Sequence, residues 1–243
     1  MTRIYQRTAL SPSSTLILDD QAAHHVSRVL RAKIGDSLVI FNGEGGEYLA
    51  KITHIDKKKV EVKIGEFDAR EVESPLHIHL AQGIARGEKM DFIMQKAVEL
   101  GTTAITPLIT TRCNVRLDKD REEKRYKHWQ AVIIGASEQS GRNRLPTLSG
   151  PVDLTEWLAK VKADYRFILS PHEEKSVLPK AIPAGSSIIL LIGPEGGFTD
   201  EEVAFAIKNG FIPMCLGKRV LRTETASIAA ISALQTLFGD FFN

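Results

Sequence analysis

Two cysteines, Cys113 and Cys215, are all that this 243-residue chain contains. They are too few and too far apart for a disulfide framework or a zinc site, so free thiols in a reducing compartment are expected. Long apolar runs are missing too. None approaches the roughly 20 residues of a membrane span, and the opening residues Met1-Thr2-Arg3-Ile4-Tyr5 lack the apolar core of a signal peptide. A cytoplasmic protein with no membrane partner is the expectation. Charge of one sign is also scarce: the formal net charge is +2, with 11 Lys+Arg against 9 Asp+Glu in residues 1–70 and 21 against 21 in the remainder. Neither part binds nucleic acid through bulk charge alone, so any such binding must rest on local clusters. With 43% hydrophobic and 26% charged residues the composition is that of an ordinary globular protein, long enough for one large domain or two smaller ones.

The most informative stretch runs from Ile188 to Phe238. Ile188-Ile189-Leu190-Leu191-Ile192 is short, β-branched and bounded by turn residues, which fits a strand buried on both faces. Gly193-Pro194-Glu195-Gly196-Gly197 breaks it at once. Such a loop is either a tight connection or a place where a ligand approaches bare backbone. Next comes Thr199, with Glu202 three residues on as a capping box and Asp200, Glu201 and Glu202 filling the first turn of a helix. An acidic, already capped helix start disfavours a bound polyphosphate and leaves room for a ligand that is neutral or cationic near its reactive centre. A second short strand leads to a second loop, Leu216-Gly217-Lys218-Arg219-Val220-Leu221-Arg222-Thr223-Glu224-Thr225-Ala226. The last helix, predicted over residues 225–238, is rich in small residues and suited to close helix approach.

Upstream, residues 1 to about 70 carry hairpin signals and one helix. That helix is capped by Asp19 or Asp20, its apolar face is Ala22, Val26, Val29 and Leu30, and Arg28, Arg31 and Lys33 lie on or beside its polar side. Lys57, Lys58 and Lys59 mark a hairpin tip, readable as a solvated turn or a phosphate contact. A polar link over residues 65–75 ends at Pro75. Beyond it strands alternate with longer helices, as in an α/β domain with a mainly parallel sheet. His77 and His79 lie two apart on one strand without a third ligand nearby, so no metal is expected. A long charged helix over residues 118–137, with Tyr126, Trp129, Val132 and Ile133 inward, runs into Ser137-Glu138-Gln139-Ser140-Gly141-Arg142-Asn143-Arg144. As a substrate loop, Arg142 and Arg144 would hold phosphates and Asn143 a base edge; as a surface loop it needs no function.

The two loops of the Ile188–Phe238 stretch together resemble the cofactor-binding half of the SPOUT class of RNA methyltransferases. Three further segments narrow the resemblance to the 16S ribosomal RNA uracil-N3 methyltransferase family, over nearly the full length: His25 with Arg28-Val29-Leu30-Arg31 and Gly35-Asp36, Arg86-Gly87-Glu88-Lys89-Met90, and residues 137–144. The resemblance implies an α/β protein with a PUA-like, RNA-binding β-barrel in residues 1–72. A SPOUT domain in residues 73–243 would end in a trefoil knot whose loops bind S-adenosylmethionine. It also implies a homodimer acting on 16S ribosomal RNA in the small subunit.

On that resemblance, backbone groups of Leu191, Ile192, Gly193 and Gly196 from the first loop, and of Leu216, Gly217, Val220 and Leu221 from the second, hold adenine and ribose. Gly196 and Gly197 keep the approach open, Ser170 and Pro171 supply a neighbouring loop, and Glu195, Arg219, Thr223, Thr225 and Ala226 complete the cofactor set. Arg222 is expected to stabilise the uracil anion or an adjacent phosphate. Glu195 and Glu224 are the nearest carboxylates able to take the N3 proton. Each has a plain alternative, in the loop's own amides for Glu195 and the helix start for Glu224, and deprotonation assisted by Arg222 alone stays open. Arg28, Arg31, Arg86, Asn143 and the pair Arg142 and Arg144, the last two from the partner subunit, form the RNA-binding set. The rivals are a ribosome- or RNA-binding protein without catalysis and a nucleotide-dependent phosphotransferase, the latter lacking a P-loop lysine.

Overall fold

A computed structural model describes residues 1–56, 59–113, 119–170 and 178–242. Lys57 and Lys58 of the expected lysine tip, Asp118 and Pro171 lie outside the described residues. The chain forms two compact units, Met1–Glu73 with Ile134–Leu145, and Ser74–Ile133 with Pro146–Asn243.

The first unit is built on five strands: β1 (Arg3–Tyr5), β2 (Thr15–Ile17), β3 (Ser37–Phe41), β4 (Glu47–Ile55) and β5 (Val60–Asp68). Their order is β1-β3-β4-β5-β2, with β1 parallel to β3 and the other pairs antiparallel. Alternate residues Val60, Val62 and Ile64 of β5 turn into a core shared with Leu38, Ile40, Ala50 and Ile52, as a half-buried strand requires. β5 runs on into the stretch expected to be a polar link, because Phe67 packs on Tyr48 across the ribbon, ring centroids 5.1 Å apart.

Helix α1 (Asp20–His24) starts where its cap predicts: the Asp19 carboxylate accepts from the Ala22 amide at 2.8 Å. It then widens into a π-turn over His25–Val29. A π-turn holds an extra residue and rotates the residues after it off the buried stripe. Ala22, Ala23 and Val26 are therefore buried, whereas Val29 and Leu30, expected on the same face, are exposed.

The second unit is a seven-stranded parallel sheet: β6 (His77–Gly83), β7 (Ala104–Ile109), β8 (Thr147–Leu148), β9 (Val152–Asp153), β10 (Tyr165–Leu169), β11 (Ser187–Ile192) and β12 (Ile212–Met214). The order is β12-β10-β11-β6-β7-β8, with β9 also on β7. Its helices are α2 (Glu88–Glu99), the Lys119–Ile133 part of α3 (Lys119–Ser140), α4 (Leu154–Leu158), α5 (Asp200–Lys208) and α6 (Thr223–Phe238). The apolar run predicted as a doubly buried strand is the central β11, and Ile188 to Ile192 are all buried. Trp129 and Ile133 of α3 are buried as their spacing implies.

Helix α6 begins two residues earlier than predicted and packs on α2 and β11. Near its end the buried Gln235 donates to the Leu100 carbonyl at 2.8 Å and accepts from the Ser74 hydroxyl at 2.7 Å. On β6, His79 Nε2 lies 2.8 Å from Thr106 Oγ1 and its ring meets Trp157 edge-on at 5.5 Å. Burial lowers its pKa from 6.5 to about 4. Among the described residues no group of three or more His, Cys, Asp or Glu is placed to hold a metal, and no helix is long and apolar enough to cross a membrane.

Candidate functional site

Parallel strands send all their carboxyl ends to one edge, and loops leaving that edge make the crevice where α/β sheets bind ligands. In the second unit β12, β10 and β11 stand side by side. Beyond their ends lies a cavity of about 470 Å³, within the roughly 300–1,000 Å³ of small-molecule sites. Leu169 and Ser170 close one side from β10, Ile192 and the Gly193–Gly197 loop another, and Met214 with the Cys215–Leu221 loop the third. Gly197 and Gly217 have φ of 67° and 82°, and a Cβ on either would meet nothing within 4 Å. Bare backbone thus faces open space at both loops, in a conformation that side-chain-bearing residues rarely adopt.

Most of the expected cofactor set is brought together here. Ser170, Ile192, Gly193, Glu195, Gly196, Gly197, Leu216, Gly217, Arg219, Val220, Leu221, Thr223 and Ala226 line the cavity, and so does Arg222. Two expected members do not: Leu191 points into the core beneath with Ile168 and Phe211, because consecutive strand residues face opposite sides, and Thr225 sits exposed on α6. Gly196 has a different reason for being glycine than an open approach. A Cβ there would lie 2.9 Å from Arg112 Cβ, and Arg112 donates to the Gly196 and Phe198 carbonyls, each at 3.1 Å. Arg112 and Lys89 also line the cavity, and neither stood out in sequence as a site residue, since Arg112 follows β7 and Lys89 opens α2, both far along the chain from the two loops.

The two carboxylates differ. Glu195 accepts from the Arg86 amide at 3.1 Å and lies 3.4 Å from Lys89 Nζ. Burial would raise its pKa, but its own amide, the Arg86 amide and the Lys89 ammonium outweigh that and hold it below the usual value. Glu224, in the first turn of α6, is not among the residues lining the cavity; among the described residues its buried Oε2 has no hydrogen-bond partner, and it lies 4.0 Å from Lys89 Nζ. Arg222 is the exposed N-cap of α6, at the cavity wall. The capping box of α5 is present, with the Thr199 hydroxyl accepting from Glu202 N at 3.2 Å and the Glu202 carboxylate from Thr199 N at 2.8 Å. The same carboxylate accepts from the Thr111 amide at 2.8 Å, so this helix start is already satisfied and negative, a poor seat for phosphate.

The loop expected to hold RNA is put to another use. Arg142 is 4% exposed and forms a two-pronged ion pair with Glu73, one arm at 2.8 Å. Asn143, fully buried, donates to the Arg70 carbonyl at 2.7 Å and accepts from the Arg3 guanidinium. A buried, paired guanidinium and a fully buried amide that is bonded on both sides are not available to a phosphate or a base edge, so these two brace the first unit instead. Arg144 pairs with Glu71 at 2.9 Å but stays half exposed. Arg28, Arg31 and Arg86 are exposed, with Arg31 in the left-handed region at φ 53°.

A profile described as an RNA methyltransferase domain matches residues 72–235, and one described as an RNA methyltransferase PUA domain matches residues 18–65. The ribosomal RNA small subunit methyltransferase E of Buchnera aphidicola from Acyrthosiphon pisum is 39% identical over 98% of this chain and 94% of its own. A Legionella pneumophila protein solved with the bound cofactor SAM superposes at TM-score 0.95 with 45% identity, covering 99% of both chains. The ribosomal RNA small subunit methyltransferase E of Neisseria gonorrhoeae, solved bound to S-adenosyl methionine, superposes at TM-score 0.91 with 40% identity, again over 99% of both. Likeness at this level extends over both units and takes in the loops that enclose the cavity: the chain belongs to the ribosomal RNA small subunit methyltransferase E family of RNA methyltransferases.

Proposed function

We propose that this chain transfers a methyl group from S-adenosylmethionine to N3 of a uridine in 16S ribosomal RNA of the small subunit. The observation that carries the reading is the cavity at the ends of β10, β11 and β12, walled by glycine-bearing loops in a chain of this family. Its residues suit the cofactor. Leu169, Ile192, Met214 and Leu221 offer apolar surface to a flat ring, while the open faces of Gly197 and Gly217 let polar groups reach backbone.

Bound S-adenosylmethionine supplies an electrophilic methyl group on a sulfonium centre. The chain's own residues must align the uracil, accept the N3 proton and stabilise the negative charge that spreads to its oxygens. Arg222, exposed at the wall, is assigned the last task. Of the two carboxylates, Glu195 lines the cavity and is assigned proton acceptance, whereas Glu224 is not among the lining residues and its buried Oε2 faces Lys89. Arg28, Arg31, Arg86 and Arg144 are assigned to RNA contact, all four being exposed.

The resemblance also supports a division into an RNA-binding domain over residues 1–72 and a methyltransferase domain over residues 73–243. A trefoil knot in the latter, a homodimer and a cytoplasmic location belong to the same reading. Small-subunit particles incubated with labelled S-adenosylmethionine, followed by mass-spectrometric mapping, test it. Label at uridine N3 is the expected result. Particle binding without label would instead indicate a non-catalytic RNA-binding protein.

A further inference from the structure

The two loops of the cavity leave different strands, and a side chain beneath them that neither loop contributes is hydrogen-bonded to both. Gln82, near the end of β6 and fully buried, extends its amide under both. Its Nε2 lies 2.9 Å from the Gly83 carbonyl, 3.2 Å from the Gly193 carbonyl and 3.0 Å from Thr223 Oγ1. Its Oε1 accepts from the Ser227 hydroxyl at 2.6 Å. Thr223 in turn donates to the same Gly193 carbonyl at 2.6 Å. The amide fits only this way round, since a flip would set its oxygen against two carbonyls that can only accept. Beside it, a Cβ on Gly83 would lie 2.4 Å from Pro194 Cδ, so β6 presses directly on the first loop.

We infer that Gln82 is a positioning residue of the donor site: with Thr223 it clamps the start of the glycine loop to the start of α6, so the spacing of the two loops is set before ligand arrives. Gln82 touches no substrate; it acts through Gly193 and Thr223, which both line the cavity. The inference rests on the reading of that cavity as the S-adenosylmethionine site. A core residue that merely filled volume would have no need of a donor facing Gly193 and an acceptor facing Ser227. Three buried polar side chains joined in one net hold a single arrangement, because each loses its partner if the others move.

The test uses the full chain and three variants. Gln82→Met keeps the volume and removes the polar atoms; Thr223→Val removes the hydroxyl at constant shape. Each is expected to weaken S-adenosylmethionine binding about tenfold by calorimetry. The double variant should be little worse than either single one, since both act on one carbonyl. Gln82→Glu sets a carboxylate against the Gly83 and Gly193 carbonyls. Its affinity, relative to the unmodified protein, should recover as the pH is lowered and the carboxyl regains a proton to donate. In ligand-free Gln82→Met, the Gly197 amide, bonded to the Pro194 carbonyl at 2.9 Å, should exchange with solvent faster. Unchanged affinity in Gln82→Met, additive losses, or Gln82→Glu without pH recovery would overturn the inference. If the unmodified protein bound no S-adenosylmethionine, the reading of the cavity would fail, and unchanged Gly197 exchange would separately remove the clamp. Should Gln82→Met not fold, Ser227→Ala, which removes the donor to Gln82 Oε1 and lies outside the cavity lining, carries the affinity and exchange measurements alone.

Discussion

Arg222 carries a fixed charge at the cavity wall while its backbone only caps α6, so its side chain can be removed at little structural expense. Arg222→Ala should keep S-adenosylmethionine affinity within a few-fold and lower the single-turnover rate about 10²–10³-fold, as loss of one preorganised stabiliser of developing charge does; rapid-quench assays on small-subunit particles measure it. Arg142→Ala should do the reverse. Removing one partner of its buried pair with Glu73 is expected to cost about 3–5 kcal/mol in urea unfolding, and the slope of RNA affinity against salt should stay the same. In sequence Arg142, Asn143 and Arg144 looked like a substrate loop because the charges cluster and no acid stands beside them. Their partners Glu73, Arg70 and Glu71 come from about seventy residues earlier, and only the folded chain brings them to hand. Arg222, which meets the cavity from its own loop, could be placed there directly.

Helix α5 illustrates what was legible at the scale of an element. Its capping box is a local pattern, and the structure holds it with both reciprocal bonds. The second bond made by Glu202, to the Thr111 amide beyond β7, was invisible because nothing in residues 199–202 points to residue 111. Thr199→Ala should therefore cost about 1 kcal/mol, a normal cap loss, and Glu202→Ala about 2–3 kcal/mol, since two part-buried amides lose a charged acceptor; paired denaturant curves give the difference. Strand β11 could be identified from its apolar run alone, since a strand covered on both faces has no alternation to obscure. The π-turn at His25–Val29 could not, because Val29 and Leu30 keep helical spacing in sequence and only the widened turn moves them outward.

At the scale of the whole molecule the two-part α/β organisation followed from where strands cease to pair with hairpins and begin to alternate with helices, near Pro75. That His79 would be shielded by Trp157 and Thr106 did not follow, for its neighbours come from other strands and from α4. It has a global consequence. His79 stays neutral in the fold down to pH about 4 while the unfolded chain takes the proton near 6.5, so the unfolded state binds more protons between those values. Stability is then fully present above pH 6.5 and falls as the pH drops, by about 2 kcal/mol between pH 7 and pH 5. Urea midpoints at the two values should show this loss, and His79→Gln should remove that part of it. The discontinuity of the first unit has a consequence in time. Its brace of Arg142, Asn143 and Arg144 lies beyond sixty intervening residues that belong to the other unit. During synthesis at roughly 5–20 residues per second, Met1–Glu73 must wait several seconds for the segment that closes its own network, so the amino-terminal unit is completed only after sixty residues of the other unit have been made.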